Sequence, residues 1–180
     1  MTRTPVFLCV LTAALLIGCE MPFGAEPGGG ESVPPELTDR LEVEPSLVAE
    51  LYVPDTVVAA DSFETQLRIE NRAQRRLDLR TPSACLVRPE VYYNSGPKKG
   101  ERAEMKGSQL FCAAVVTHRD IDPGEVQTAS FDLQASLSRT DGSEPAPPGT
   151  YRFEICLDWT IEGREVEEVL EGHFEVVEDI

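Results

Sequence analysis

The most constraining feature of the sequence is an alternation of apolar and polar residues with a period of two. It is clearest from Tyr151 to Trp159, where Tyr, Phe, Ile, Leu and Trp alternate with Arg, Glu, Cys and Asp. Successive side chains of a β-strand point to opposite faces of its sheet, so this alternation predicts half-buried strands. No segment keeps the period of about 3.6 residues that an amphipathic helix requires. We therefore expect the folded part of the chain to consist of strands and turns.

Turn signals separate the alternating segments at intervals of about ten residues. Asp122–Glu125 places Pro and then Gly at the centre of a turn, and Glu162–Glu165 has the composition of a hairpin turn. The polar segment Asn94–Ser108 is predicted to be a long hairpin loop, and Leu110–Thr117, apolar on both faces, a central strand. Seven to eight short strands with these turns predict an all-β fold, an antiparallel β-sandwich over residues 47–180.

The start of the chain has the pattern of an export signal. A short cationic start with Arg3 is followed by an apolar segment, residues 6–17. As a helix this segment would rise about 18 Å, which is too short to cross a hydrocarbon layer of about 30 Å. Residues 1–18 are therefore interpreted as a secretory signal peptide.

The end of this segment, Leu16-Ile17-Gly18-Cys19, resembles the bacterial lipobox. The resemblance implies cleavage after Gly18, a diacylglyceryl group on the Cys19 sulfur and a fatty acyl group such as palmitate on its new amine. Three acyl chains would anchor the protein firmly in a lipid bilayer, because each buried CH₂ contributes about 0.8 kcal/mol. The alternatives are a plain signal peptide and a buried N-terminal helix.

The lipobox resemblance places the protein in the bacterial cell envelope. Residues 19–46 are rich in Pro, Gly and Glu, so we expect a lipidated Cys19 followed by a flexible linker to the domain. Glu20 is not the Asp that signals retention in the inner membrane of some diderm bacteria. This favours the outer membrane where one exists.

The charge of the chain excludes some classes of partner. Its formal net charge is −16 and its pI about 4.4. Binding to nucleic acid depends on Lys and Arg that neutralise phosphates, so we expect no nucleic-acid partner. The same charge opposes electrostatic docking on anionic lipid headgroups.

Candidate catalytic and metal-binding residues occur without the context that their chemistry needs. His118 and His173 lie on extended segments and have no nucleophile in a known motif. Asp120, Asp122 and Glu125 offer oxygens to Ca²⁺ but lack the spacing of a calcium loop, and a Pro-Gly turn explains them without metal. We therefore expect no catalytic site, metal or cofactor.

Three cysteines remain once Cys9 leaves with the signal peptide and Cys19 carries lipid: Cys85, Cys112 and Cys156. Outside the cytoplasm one disulfide and one free thiol is the simplest arrangement, and zinc is a weaker alternative without a CxxC pair. Cys156 falls on the polar face of its strand, whereas a bridge between Cys85 and Cys112 would close the base of the long loop. We therefore predict Cys85–Cys112, with Cys156 unpaired.

The best candidate for a partner-binding patch is Tyr92 and Tyr93 with Lys98, Lys99 and Lys106. A strand must turn one of two adjacent tyrosines outward, and these are the only lysines of an acidic protein. An ordinary edge strand followed by a soluble loop is the alternative.

Three motifs resemble the immunoglobulin-like domain of BsuPI-type intracellular proteinase inhibitors. They are LRIEN (Leu67–Asn71), IDPGE (Ile121–Glu125) and PPGTYRF (Pro147–Phe153), and the similarity covers about residues 47–177. It implies the sandwich fold and a role in binding a protease or another protein. This chain departs from the family in its export signal and lipobox, and no inhibitory loop can be transferred by motif.

Together these features predict a membrane-anchored envelope lipoprotein that presents an immunoglobulin-like module to a protein partner and is not an enzyme. A lipid-anchored proteinase inhibitor is the alternative, and an enzyme of unrecognised type is a distant third.

Overall fold

The computed structural model of the protein describes residues 36–43, 46–108 and 112–178, which form twelve β-strands in two packed six-stranded sheets. The strands are β1 (Glu36–Val43), β2 (Leu47–Val53), β3 (Thr56–Val58), β4 (Ser62–Asn71), β5 (Leu77–Thr81), β6 (Arg88–Tyr93), β7 (Met105–Lys106), β8 (Thr117–Ile121), β9 (Val126–Arg139), β10 (Gly142–Pro145), β11 (Gly149–Ile161) and β12 (Arg164–Val177). The predicted fold class, an all-β immunoglobulin-like sandwich, is confirmed. There are more strands than the predicted seven to eight, because β3, β7 and β10 are short and β1 was not expected.

Two predictions lie outside the described residues: the signal peptide with its cleavage after Gly18, and the acylation of Cys19. Within the described residues no helix is long and apolar enough to cross a membrane.

The first sheet has the order β1-β2-β4-β9-β10, with β7 also paired to β9, and the second has the order β3-β12-β11-β5-β8, with β6 also paired to β11. The named strand pairs are antiparallel except β3 with β12, which is parallel. β12 pairs with β11 along one edge, from Gly149 to Ile161. Along the other edge of β11, β6 pairs with Tyr151–Cys156 and β5 with Thr160–Ile161. β11 is therefore the strand around which the second sheet is arranged.

The core between the sheets is filled by the apolar phase of the alternation, as predicted for Tyr151 and Trp159. Tyr151 is buried, its ring stacks on that of Phe174 with centroids 5.5 Å apart, and its hydroxyl donates to Pro147 O at 2.8 Å. Trp159 is also buried, and its Nε1 donates to Leu86 O at 2.7 Å. Both large rings therefore bury their apolar surface while their polar atoms keep a hydrogen-bond partner.

The prediction that the linker extends to residue 46 is wrong from Glu36 onward. Residues 36–43 form β1, which pairs with β2 along its length. Asp39 adds a link to the other sheet, since its Oδ2 accepts a hydrogen bond of 2.8 Å from Glu171 N on β12. The composition of this segment does not indicate a strand, because its few apolar residues show no clear alternation and much of its stability comes from pairing with β2 and from the contact with Glu171.

The prediction of a central strand at Leu110–Thr117 is also wrong. Residues 109–111 lie outside the described residues, residues 112–116 form no strand, and β8 begins only at Thr117, at the edge of the second sheet. Ala84 N donates to Ala113 O at 2.9 Å, which holds this segment against the turn that precedes β6. Val115 and Val116 are therefore exposed and lie outside the strands of the sheet.

A buried asparagine joins the two sheets at one end of the sandwich. Asn71, at the end of β4, donates from Nδ2 to Ile121 O at 2.8 Å and to Arg75 O at 2.9 Å. Its Oδ1 accepts from Ala73 N at 2.8 Å. Burying a side-chain amide without hydrogen bonds would lower the stability of the fold. Because the amide of Asn71 makes these three hydrogen bonds, a polar residue can be buried here and link the two sheets.

The two sheets pack closely together at Gly172 on β12. A Cβ added at this position would lie 2.7 Å from Val53 Cγ2 and 3.0 Å from Thr38 Oγ1. Val53 is fully buried on β2, so its branched side chain has no space into which it can move. The absence of a side chain at residue 172 therefore allows β1 and β2 to pack directly on the backbone of β12.

We expect Gly172→Ala to lower the free energy of unfolding by about 1–3 kcal/mol, because the added methyl group forces Val53 or the backbone to move. Urea denaturation followed by tryptophan fluorescence measures this change. Val169→Ala, on the same strand but at a half-exposed position, is the control and should change stability by less than about 0.5 kcal/mol. Equal stability of Gly172→Ala and the wild type would contradict the close approach.

Trypsin tests the assignment of β1. Arg40 is the only Lys or Arg between residues 4 and 67, and its peptide bonds lie within the β1–β2 ladder. We expect slow cleavage after Arg40 in the native protein, and faster cleavage in Asp39→Ala, which lacks the hydrogen bond to Glu171 N. Mass spectrometry of the fragments detects both. Cleavage of the native protein at the rate of the urea-unfolded chain would restore the linker interpretation.

Candidate interaction surface

The two tyrosines of the predicted patch point to opposite faces of the second sheet. Tyr93 points inward, where its ring centroid lies 5.3 Å from that of Tyr151 and burial raises the pKa of its hydroxyl. Tyr92 points outward and donates a hydrogen bond of 2.6 Å to Glu90 Oε2, which is the main reason that its pKa rises to about 12. The Arg152 guanidinium lies 5.1 Å from the centroid of Tyr92. Because Arg152 covers one ring and the core covers the other, both tyrosines are only half-exposed.

The lysines of the patch are divided between the two sheets. Lys98 and Lys99 are exposed in the turn that follows β6, and Lys98 Nζ lies 5.4 Å from the ring centroid of Tyr93. Lys106 is exposed on β7, which pairs with β9 in the first sheet. The structure therefore brings Lys98 to Tyr93, but it does not unite the five predicted residues in one cluster.

The outer side of β6, β11 and β12, which we call the outer face, is ordered in rows of directly paired residues. From one end to the other, the rows are Tyr92–Arg152–His173, Glu90–Glu154–Glu171, Arg88–Cys156–Val169 and Asp158–Glu167. The rows follow from the strand register, since every second residue of each strand faces outward.

Basic side chains of the same chain accompany the row of three glutamates. Arg152 Nε lies 2.7 Å from Glu154 Oε1, although its angle does not make a hydrogen bond. Arg102 Nη1 lies 3.5 Å from Glu90 Oε1, and His173 Nε2 lies 3.2 Å from Glu171 Oε1. Burial raises the pKa of Glu154, and the two neighbouring glutamates raise it further, while Arg152 lowers it. The repulsion in this row is therefore partly relieved within the molecule.

Asp158 and Glu167 form a second set of opposed carboxylates, which we call the acid pair. They face each other across β11 and β12, and both are exposed. No side chain in the described part of the chain forms an ion pair with either of them. Like charges at directly paired positions of a sheet are destabilising, so the acid pair differs from the glutamate row in lacking a cation.

A groove of about 370 Å³ opens next to the acid pair. Its lining includes the Cys85–Cys112 disulfide, Leu86, Ala114 and Cys156, with Asp158 at its side. The disulfide joins the predicted cysteines, with their Cα atoms 5.4 Å apart, and leaves Cys156 as a free thiol. Burial, and secondarily the charge of Glu90, raise the pKa of this thiol, so it is uncharged at neutral pH.

Three exposed valines are adjacent to lining residues of the groove, along the chain or across a strand pair. Val115 and Val116, 59% and 61% exposed, follow the groove residue Ala114 in the chain, and Val169, 50% exposed, is paired with Cys156. Sequence reasoning missed this surface because it placed the first two valines in a buried strand. Val169 carried a signal, as it is the apolar residue on the outward phase of a strand otherwise rich in glutamate.

His118 and the acidic residues at the turn between β8 and β9 contact oppositely charged or polar side chains of the same chain. His118 Nδ1 lies 3.6 Å from Asp78 Oδ1. Arg76 contacts Asp120 at 3.3 Å and Asp122 at 2.7 Å, which braces the turn between β8 and β9. Among the described residues there is no group of three His, Cys, Asp or Glu side chains arranged to hold a metal ion.

No protein-family model matches the chain, and no curated protein sequence matches it. Its fold has a partial likeness to a β-glucosidase from Listeria innocua in complex with isofagomine, with a TM-score of 0.39, 11% identity and coverage of 74% of this chain but 16% of the enzyme. It also has a likeness to the CARDB domain of the PF1109 protein from Pyrococcus furiosus, with a TM-score of 0.38, 20% identity and coverage of 77% and 95%. Both TM-scores are low, so neither likeness carries an inference about function.

Proposed function

We propose that the protein is a lipid-anchored lipoprotein of the bacterial cell envelope that presents its sandwich as a binding module for a protein partner. The observation that carries the binding role is the groove together with three exposed valines close to its lining residues: Val115 and Val116, which follow Ala114, and Val169, which is paired with Cys156. An exposed apolar patch on a highly charged surface is typical of a protein–protein contact. A net charge of −16 disfavours nucleic acid as the partner.

The anchor is proposed from the Leu16–Cys19 motif. In the mature lipoprotein, residues 20–35 would connect the acylated Cys19 to the start of β1. These residues can reach at most about 55 Å when fully extended, which limits the distance of Glu36 from the lipid surface. The groove lies beside Cys156, near the middle of β11.

Cys19→Ser tests the anchor. In the native bacterium, we expect this variant to lose metabolic labelling with palmitate and to accumulate as an unprocessed precursor or as released protein, because the acylated sulfur is absent. Cys156→Ser is the matched control and should retain full labelling. Undiminished labelling of Cys19→Ser would refute the lipoprotein assignment.

Photocrosslinking in intact cells tests the binding role. We expect a photoreactive amino acid at Val115 to give a discrete crosslinked protein, because this residue is exposed beside the groove. The same amino acid at Asp132, exposed on β9 of the first sheet, should give none. Equal crosslinking at both positions would contradict a specific surface. A protease in the Val115 adduct would select the inhibitor alternative.

A further inference from the structure

We propose that the outer face binds an extended segment of a partner protein, in which an apolar side chain enters the groove and a lysine or arginine two positions away pairs with Asp158 and Glu167. This inference rests on the proposed function only in taking a protein as the partner. It assigns the chemistry by which that partner is recognised.

The first step is the electrostatics of the acid pair. Asp158 and Glu167 are opposed across the ladder, and directly opposed residues place their Cβ atoms about 4.5–5.5 Å apart. The equivalent opposed pair four residues along, Glu154 and Glu171, is accompanied by Arg152. A cation supplied by a partner would relieve the repulsion of the acid pair as Arg152 does for its neighbours. The acid pair is thus complementary to a basic side chain.

The second step is the chemistry of the groove. Its lining combines a disulfide, a leucine and an alanine with the uncharged thiol of Cys156, and sulfur groups of this kind behave as apolar surface. A volume of about 370 Å³ is at the lower end of ligand sites and suits one or two apolar side chains. Val169 extends the same surface across β12. An apolar side chain is therefore the group that fits this groove.

The third step is spacing. Cys156 and Asp158 are two residues apart on one strand, and side chains at this separation stand about 6.6–6.8 Å from each other. A partner segment extended along β11 repeats the same spacing. Its apolar residue at the groove therefore places the side chain two positions away over the acid pair.

The sign of the partner's charge follows from the other groups around the groove. Arg88 is the cation in its lining, but Arg88 Nε lies 3.7 Å from Glu90 Oε1. An acidic side chain of a partner would be repelled by Asp158 and Glu167, and the cation of the groove lining, Arg88, already lies beside a glutamate. The surface therefore selects a basic segment over an acidic one.

The test uses the purified full-length protein and three capped pentapeptides. One has leucine and, two positions later, lysine; the second has glutamate in place of the lysine; the third has serine in place of the leucine. Alkylation of Cys156 by iodoacetamide, resolved by mass spectrometry, reports occupancy of the groove. We expect the leucine–lysine peptide to slow alkylation at millimolar concentration and the other two to leave the rate unchanged.

The double variant Asp158→Asn, Glu167→Gln should weaken protection by the leucine–lysine peptide roughly five- to tenfold, which corresponds to about 1–1.4 kcal/mol. The matched control is Glu64→Gln, Asp132→Asn, which neutralises another directly opposed carboxylate pair on the first sheet and should leave protection unchanged. Equal protection by the lysine and glutamate peptides, or equal loss in both double variants, would overturn the proposal. A discrete crosslink from Val115 combined with either of those results would uphold the binding function while rejecting this partner chemistry.

Discussion

The ladder between β11 and β12 is the interaction on which the second sheet and its outer face depend. It runs in continuous register from the pair Gly149–Val176 to the pair Ile161–Arg164. A slip of one residue in either strand would exchange its inward and outward side chains. The core ring of Tyr151 would then face solvent, and the acid pair would no longer be opposed. Fold and candidate site are therefore set by the same register.

Much of the fold could be predicted from the sequence because its signal is local. The alternation from Tyr151 to Trp159 assigned the core residues, and the outward phase of Cys156 left Cys85 and Cys112 to form the disulfide. β1 was missed because its composition is that of a linker, while its stability comes from pairing with β2 and from the hydrogen bond to Glu171, which is distant in sequence. The prediction of a strand before Thr117 was wrong because apolar residues alone do not distinguish a buried strand from an exposed segment that lies outside the sheet.

The candidate site was less accessible to sequence reasoning, since it depends on which residues are paired across strands. Tyr92 and Tyr93 were singled out correctly as facing opposite ways, but Arg152 covers the outward ring. Asp158 and Glu167 appear in the sequence as two acids among many. Only the register makes them neighbours, and only the positions of the basic side chains show that the row of three glutamates on the outer face has cations nearby while this pair does not.

The position of β1 has a mechanical consequence for an anchored protein. In the proposed lipoprotein, tension between the membrane and a partner held at the groove enters the domain at Glu36. The hydrogen bonds of the β1–β2 ladder lie across the strands, so a pull along β1 strains them together rather than one after another. The link from Asp39 to Glu171 N passes part of that force directly to β12, whose Val169 borders the groove. A strand with the composition of a linker thus becomes the mechanical coupling between anchor and binding surface.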